Sequence, residues 1–177
     1  MVDELKVNGS KIRLLQADIT ELDIDSFVYY AQHNLKLGSG FGTAISVRGG
    51  PSVQEELKSF GEVDTCDVVI TGAGDLKAKH IIHAVGPRFQ EENIEGKLKD
   101  TILNALREAE RKGIKAIAFP AMGVGFYGVP LDLSASVTLG TVKEYLSGQT
   151  GIKDVVICLS TSREYKPFQS KFSTLAN

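Results

Sequence analysis

The feature that most constrains the fold of this chain is a series of short apolar runs. Stretches with helical spacing separate several of these runs. The runs lie at residues 27–31, 68–70, 81–85, 116–119 and 155–159, and they do not alternate with polar residues. Strands of that composition are buried on both faces, which is typical of parallel sheets covered by helices. The pattern therefore predicts an α/β fold, a three-layer α/β/α sandwich with a mixed, largely parallel sheet.

The segments between these runs carry their own signals. Apolar residues recur at spacings of three and four over residues 98–109 and 131–146, and each stretch predicts an amphipathic helix. A shorter helix is predicted for residues 52–60. Near the N-terminus, Asn8 and Gly9 separate two short alternating segments, which predicts a β-hairpin.

Length and composition limit the classes of protein. The chain has 177 residues without a linker, repeat or low-complexity stretch, which predicts a single domain over residues 1–177. Its N-terminus is polar, and no apolar run approaches the roughly 18 residues that cross a bilayer. Cys66 and Cys158 fit neither zinc nor redox spacing. We therefore expect reduced thiols, no metal, no membrane contact and a cytoplasmic location.

Two glycine-rich segments follow predicted strands, at residues 37–42 and 123–128. Each leads into a predicted helix, and ligands of open α/β sheets bind where strands turn into helices. Glycine permits positive φ and lets the backbone approach a ligand closely. A tight turn would explain either segment alone, but two at strand-to-helix junctions favour a phosphate site.

The charge of the chain indicates how such a phosphate would be held. Lys and Arg number 20 against 22 Asp and Glu, a net charge of −2, and the basic residues are scattered. No basic field is available to attract nucleic acid, so this partner is disfavoured. A phosphate would instead bind to main-chain N–H groups at a helix start.

The second segment also matches G-x-G-x-x-G, the fingerprint of dinucleotide-binding enzymes. That fingerprint requires an acidic residue at the end of the next strand, about 20 residues further on. Here Glu144 lies inside a predicted helix instead. The sequence therefore disfavours a redox enzyme of the Rossmann class.

Four segments, in this order, resemble the macrodomain family over nearly the whole chain. Residues 16–20 are similar to its G-D-I-T element, with Ala17 in place of glycine, and residues 80–87 to its Y-I-I-H-x-V-G-P strand. Residues 35–45 and 120–130 resemble its two phosphate loops. The resemblance implies an α/β fold with helices about a mixed sheet and ADP-ribose as ligand, with no further cofactor.

The resemblance also implies roles for particular residues. Asp18 would accept a hydrogen bond from the adenine amino group, beside the Ile19 backbone, with a cap of the turn that follows it as the alternative. Phe126 would cover the sugar or phosphate, or else belong to the core. In many relatives an aromatic covers adenine, where this chain has residues 159–162, and Tyr165 is a candidate substitute. The implied ligand-binding residues are Asp18, Ile19, Gly38, Ser39, Gly40, Phe41, Gly123, Val124, Gly125, Phe126 and Tyr127.

This chain departs from the family's hydrolases at two places. They carry N-A-A-N before the first glycine loop, where this chain has residues 29–32, Tyr-Tyr-Ala-Gln. One active branch adds an aspartate where this chain has Gly42. Gln32 and Asn34 are the candidate catalytic residues of a rearranged site that would also include His33, with polar loop residues as the alternative.

Three functions follow from these observations. The first is a binding module for ADP-ribose, free or attached to a protein. The second is a hydrolase that removes ADP-ribose from acidic side chains, or acts on O-acetyl-ADP-ribose or ADP-ribose 1″-phosphate. The third is a module for another nucleotide, an RNA end or a protein partner. The expected partners are ADP-ribose or an ADP-ribosylated protein.

Overall fold

One mixed sheet organises the described part of the chain. The computed structural model describes residues 3–38 and 40–176. Its seven strands have the spatial order β1-β2-β7-β6-β3-β5-β4. They are β1 (Asp3–Val7), β2 (Ser10–Gln16), β3 (Ser26–Tyr30), β4 (Val68–Gly72), β5 (His80–Ala84), β6 (Ala116–Phe119) and β7 (Asp154–Leu159).

The sheet is parallel in its centre and antiparallel at both edges. β1 pairs antiparallel with β2, and β4 pairs antiparallel with β5, whereas the pairings among β2, β7, β6, β3 and β5 are parallel. The predicted hairpin is confirmed, because Asn8 (φ 49°) and Gly9 (φ 85°) join β1 to β2 with two successive positive φ angles. That geometry is a type I′ turn, which matches the twist of the strands it connects.

Five α-helices cover the two faces of the sheet. They are α1 (Phe41–Gly49), α2 (Ser52–Leu57), α3 (Ile94–Arg111), α4 (Leu131–Leu146) and α5 (Ser162–Leu175). The helix predicted over residues 52–60 ends at Leu57 and continues as a 3-10 turn, Lys58–Phe60. Helices α1 and α2 pack on one face, and α3, α4 and α5 pack on the other. The three-layer α/β prediction is confirmed.

Strand β3 shows why the central runs lack polar residues. All five of its residues are buried. Phe27 and Tyr29 join the core beneath α1 and α2, whereas Val28 and Tyr30 join the core beneath α3, α4 and α5. Successive side chains of a strand point to opposite faces, so a strand between two helical layers needs apolar or aromatic residues on both faces.

Within the described residues, no helix is long and apolar enough to cross a membrane. The same residues contain no cluster of three or more His, Cys, Asp or Glu side chains placed to hold a metal ion.

Candidate functional site

Two joined cavities open at the carboxyl ends of the central strands. The larger has a volume of about 550 Å³ and the smaller about 300 Å³. Their walls come from the segments that follow β2, β3, β6 and β7, which are neighbours in the sheet. The two cavities share five lining residues: Gly40, Phe41, Pro120, Ala121 and Val124. Both glycine loops therefore border one continuous groove.

The first glycine loop ends at the start of α1. Gly40 is the N-cap of that helix, with φ 65°, and no side chain caps the helix start. The first-turn amides of a helix have no intrahelical acceptor, so they are available to an anion in the groove. Gly38 supports the loop, since its carbonyl accepts a hydrogen bond from the Thr43 hydroxyl at 2.9 Å. The predicted binding residue Ser39 lies outside the described residues.

A side chain of α2 holds the approach to this loop. Gln54 Oε1 accepts a hydrogen bond from the Leu37 N–H at 2.9 Å, and Gln54 Nε2 donates to the Leu35 carbonyl at 3.3 Å. Leu35 itself has a positive φ of 59°. Sequence reasoning missed Gln54, because nothing in the motif points to a residue on the next helix.

The second glycine loop connects β6 to α4. Gly123 (φ 75°) and Gly125 (φ 88°) both adopt left-handed conformations. The loop closes on itself, because the Val129 N–H donates to the Gly123 carbonyl at 2.9 Å. Gly123, Val124, Phe126 and Tyr127 line the smaller cavity. Gly125 does not line either cavity, although both of its neighbours do.

Asp18 borders the larger cavity and already holds two partners. Its Oδ1 accepts hydrogen bonds from the Thr20 N–H at 3.0 Å and the Thr20 hydroxyl at 2.7 Å, so it caps the turn Ile19–Glu21. Its Oδ2 accepts from Arg48 Nη1 at 2.5 Å. Partial burial works to raise the pKa of Asp18, but the hydrogen bonds from Arg48 and Thr20 outweigh it and hold that pKa below its ordinary value. Asp18 is therefore an anionic acceptor, with Ile19 beside it in the wall.

Another part of the wall of the larger cavity comes from the end of β7 and the start of α5. Ser160 and Glu164 line it, and Glu164 Oε1 accepts hydrogen bonds from the Ser160 N–H at 3.1 Å and hydroxyl at 3.0 Å. Tyr165 does not border this cavity; its hydroxyl donates to Asp3 at 3.1 Å. The suggestion that Tyr165 replaces the stacking aromatic is therefore not supported by its position.

Aromatic rings enclose the smaller cavity. Tyr30 packs on Tyr127 with ring centroids 4.8 Å apart, and its hydroxyl donates to the Pro87 carbonyl. Tyr29 makes an edge-on contact with Phe41, with centroids 5.0 Å apart. Phe126 stands at the mouth of the cavity and is 80% exposed, so it is not a core residue. Tyr29 and Tyr30 are both buried and both border the cavity.

Tyr29 also explains why residue 42 is glycine. A Cβ at Gly42 would lie 2.5 Å from the Tyr29 hydroxyl oxygen and 3.0 Å from the Leu37 carbonyl carbon. Burial raises the pKa of Tyr29 to about 12, so the phenol is a neutral hydrogen-bonding group near neutral pH. The phenol thus takes the space into which an aspartate at position 42 would project.

The structure places only one of the two candidate catalytic residues at the smaller cavity. Gln32 lines the smaller cavity, and a Cβ at Gly38 would lie 2.8 Å from its Nε2. Asn34 is exposed and lies outside that lining, because its Oδ1 accepts a hydrogen bond from the Lys36 N–H at 3.0 Å and closes a turn. His33 is also engaged elsewhere, with its Nδ1 2.7 Å from the Val63 carbonyl. Of this group, the structure brings only Gln32 to the cavity.

Neither His83 nor Cys158 supplies a reactive group. His83 is fully buried with its Nε2 2.9 Å from the Thr71 hydroxyl, and burial lowers its pKa to about 3. It stays uncharged near neutral pH and belongs to the core. Cys158 borders the larger cavity, but burial raises its pKa to about 12 and keeps it a thiol.

The fold and the groove define an α/β protein with glycine loops around a cavity at the carboxyl edge of its sheet. The Macro domain family model matches residues 28–138. A macro domain-containing protein of Caldanaerobacter subterraneus subsp. tengcongensis is 37% identical over 171 residues, covering 93% of this chain and 97% of the relative. This chain therefore belongs to the macrodomain family, as the sequence resemblance predicted.

Two further matches have names that state an activity or a bound ligand. An O-acetyl-ADP-ribose deacetylase of Escherichia fergusonii is 40% identical over 144 residues, covering 78% of this chain and 81% of the relative. A solved structure of an Oceanobacillus iheyensis macrodomain mutant with ADPR superimposes with a TM-score of 0.93. The identity is 27%, and the match covers 99% of this chain and 98% of that one.

Proposed function

We propose that this chain binds ADP-ribose, free or attached to a protein, in the two joined cavities. The observation that carries the proposal is that Gly40 and Phe41 of one loop and Val124 of the other wall both cavities. Among the described residues that line either cavity, none is lysine or arginine. A diphosphate between the loops would therefore be bound by main-chain amides and the N-terminus of α1.

The chemistry of the walls supports one orientation of the ligand. Adenine would occupy the larger cavity, with its amino group donating to Asp18 beside the Ile19 backbone. The diphosphate would lie against the loop residues Gly38, Ser39, Gly40 and Phe41 and against Gly123, Val124 and Gly125. The distal ribose would enter the smaller cavity, covered by Phe126 and Tyr127. The combined volume suits a ligand of this size.

The relatives support the choice of ligand. An Oceanobacillus iheyensis macrodomain mutant has been solved with ADPR, and its fold covers nearly all of this chain. The Escherichia fergusonii relative is named for an ADP-ribose derivative. We also propose that residues 1–177 form one domain, since β1 and α5 both contribute to the same core. A cytoplasmic location is part of the proposal, supported by the free thiols of Cys66 and Cys158.

Calorimetric titration with ADP-ribose, ADP and AMP tests the proposal. We expect the affinity to fall in that order, because ADP lacks the distal ribose and AMP lacks half of the diphosphate as well. A loss of about tenfold or more, or about 1.4 kcal/mol, is expected at each step. Equal affinity for all three would contradict the proposed placement. Binding of a different nucleotide with no response to ADP-ribose would favour the third function.

A hydrolase is the second candidate, and one observation favours it: the Gln32 amide reaches the distal cavity, in a chain related to a deacetylase. In that reaction water would add to the acyl carbon of O-acetyl-ADP-ribose, and the ribose oxygen would leave with a proton. Gln32 would position the water, because an amide can accept one hydrogen bond and donate another. Tyr29 also lines this cavity, and its side chain carries a second hydrogen-bonding group, the hydroxyl.

Gln32→Ala is expected to lower turnover of O-acetyl-ADP-ribose on the order of 100-fold, since catalysis depends steeply on the placement of water. The affinity for ADP-ribose should change much less. Single-turnover rates measured by release of acetate check this. Gln149→Ala removes an exposed amide after α4 and is the matched control. Undiminished turnover in Gln32→Ala would remove Gln32 from the mechanism.

A further inference from the structure

Arg48 contacts three oxygen-bearing side chains at the base end of the groove. It lies in the last turn of α1, and its Nη1 is 2.5 Å from Asp18 Oδ2 and 2.5 Å from the Thr20 hydroxyl oxygen. Its contact with Glu21 Oε1 is longer, at 3.4 Å. Asp18 borders the cavity, whereas Arg48 does not. The guanidinium therefore holds the carboxylate from the side that faces away from the cavity.

Counting acceptor positions shows what this leaves for a ligand. An ionised carboxylate offers about four lone-pair sites on its two oxygens. Oδ1 accepts from the Thr20 N–H and hydroxyl, and Oδ2 accepts from Arg48. About one acceptor site then remains, on Oδ2. Because the carboxylate stays ionised, that site attracts an N–H₂ donor and repels a carbonyl oxygen.

We propose that Arg48 is a positioning residue that fixes the Asp18 carboxylate and so makes the site selective for a base with an exocyclic amino group. This inference rests on the proposed function, because it concerns the base of the same nucleotide. The fixed carboxylate discriminates between adenine and hypoxanthine, which carries a carbonyl oxygen in place of the amino group. Without the guanidinium, Asp18 Oδ2 loses its partner and the carboxylate is held by Thr20 alone.

The charges around Asp18 fit this role. Glu21 follows in the same turn, and Lys77 is paired to it at 3.7 Å. Glu164 and Cys158 line the same cavity as Asp18. Apart from Asp18, the charged group in the described lining is therefore another carboxylate. Arg48 is the cation that contacts Asp18, and its removal would leave the base end with uncompensated negative charge.

Titration of Arg48→Gln and of the unaltered chain with ADP-ribose and with inosine diphosphate ribose tests the inference. For the unaltered chain we expect ADP-ribose to bind more tightly than the inosine ligand. In Arg48→Gln the affinity for ADP-ribose should fall about tenfold and that for the inosine ligand should change little, so the preference shrinks. Arg111→Gln removes an exposed cation paired to Glu108 and is the matched control, with the original preference retained.

A pH series adds a second measurement, the pH at which ADP-ribose affinity is lost. General destabilisation of the fold would not shift that pH. Asp18 has a lowered pKa, so its acceptor is present at neutral pH and is lost as the pH falls through that value. In Arg48→Gln the loss of ADP-ribose affinity should begin at a higher pH than in the unaltered chain. Arg48→Lys, which keeps the charge without the planar fork, should restore only part of the preference.

The outcomes separate the two proposals. If the unaltered chain binds neither ligand, the proposed function itself fails. If it binds ADP-ribose and Arg48→Gln keeps the full preference, or loses affinity for both ligands equally, the role of Arg48 is overturned. Thermal melting should be nearly unchanged in the variant, because an exposed ion pair contributes little to stability.

Discussion

Gly40→Glu is expected to weaken ADP-ribose binding by at least about 100-fold, or about 2.8 kcal/mol. Gly40 lines both cavities, and apart from its chain neighbours no atom of the described residues lies within 4 Å of the position that a Cβ would take there. A side chain would therefore enter the groove without a clash and place a carboxylate against the diphosphate. Calorimetry with ADP-ribose measures the loss.

A second glycine with a similar backbone conformation serves as the matched control. It separates the effect of the added charge on binding from the effect of backbone strain. Gly61 has φ 66°, close to the 65° of Gly40, and is likewise free of atoms within 4 Å of a Cβ. It does not line either cavity. Gly61→Glu should lower stability by a similar amount and leave binding intact. Gly40→Gln should weaken binding less than Gly40→Glu. Full affinity in Gly40→Glu would refute the placement of the diphosphate.

Gly86→Ala is expected to destabilise the fold by about 3 kcal/mol, at the upper end of the usual cost of overpacking. A Cβ at Gly86 would overlap the ring and hydroxyl of Tyr30. Tyr30 has little room to yield, because it packs on Tyr127 and donates to the Pro87 carbonyl. The shift in the midpoint of urea unfolding at constant slope measures the effect.

Two further variants test that mechanism. In a Tyr30→Ala background, Gly86→Ala should cost much less than it does alone, because the overlapping ring is gone. Gly140→Ala makes the same substitution inside α4, where no atom lies within 4 Å of a Cβ. It should stabilise the protein by up to about 1 kcal/mol, since alanine is the better helix former. Additive costs for the Tyr30 and Gly86 changes would contradict the proposed overlap.

Much of the fold could be predicted because its signals are local. The hairpin at Asn8 and Gly9 depends on two residues, and α3 and α4 show the apolar spacing of helices. The strand ends differ from the predicted runs by one or two residues, as at β3, which begins at Ser26. The antiparallel direction of β4 could not be predicted, because a buried apolar run contains no information about strand direction.

The site was less predictable because it depends on contacts between distant positions. The glycine loops carry their own sequence pattern, so their meeting in one groove could be anticipated. Arg48 reaches Asp18 across 30 positions, and the Tyr29 hydroxyl excludes a side chain at Gly42. Tyr29 and Tyr30 lie in a strand buried on both faces, whose polarity pattern does not reveal the direction of each side chain.

The bridge from Gln54 to Leu35 and Leu37 bears on the kinetics of ligand capture. Because this bridge orders the segment during folding, an arriving ligand need not restrict its backbone again. Association should then be limited by encounter, without a slow rearrangement after contact. The rate of ligand capture thus depends in part on α2, a helix that makes no contribution to the described lining of either cavity.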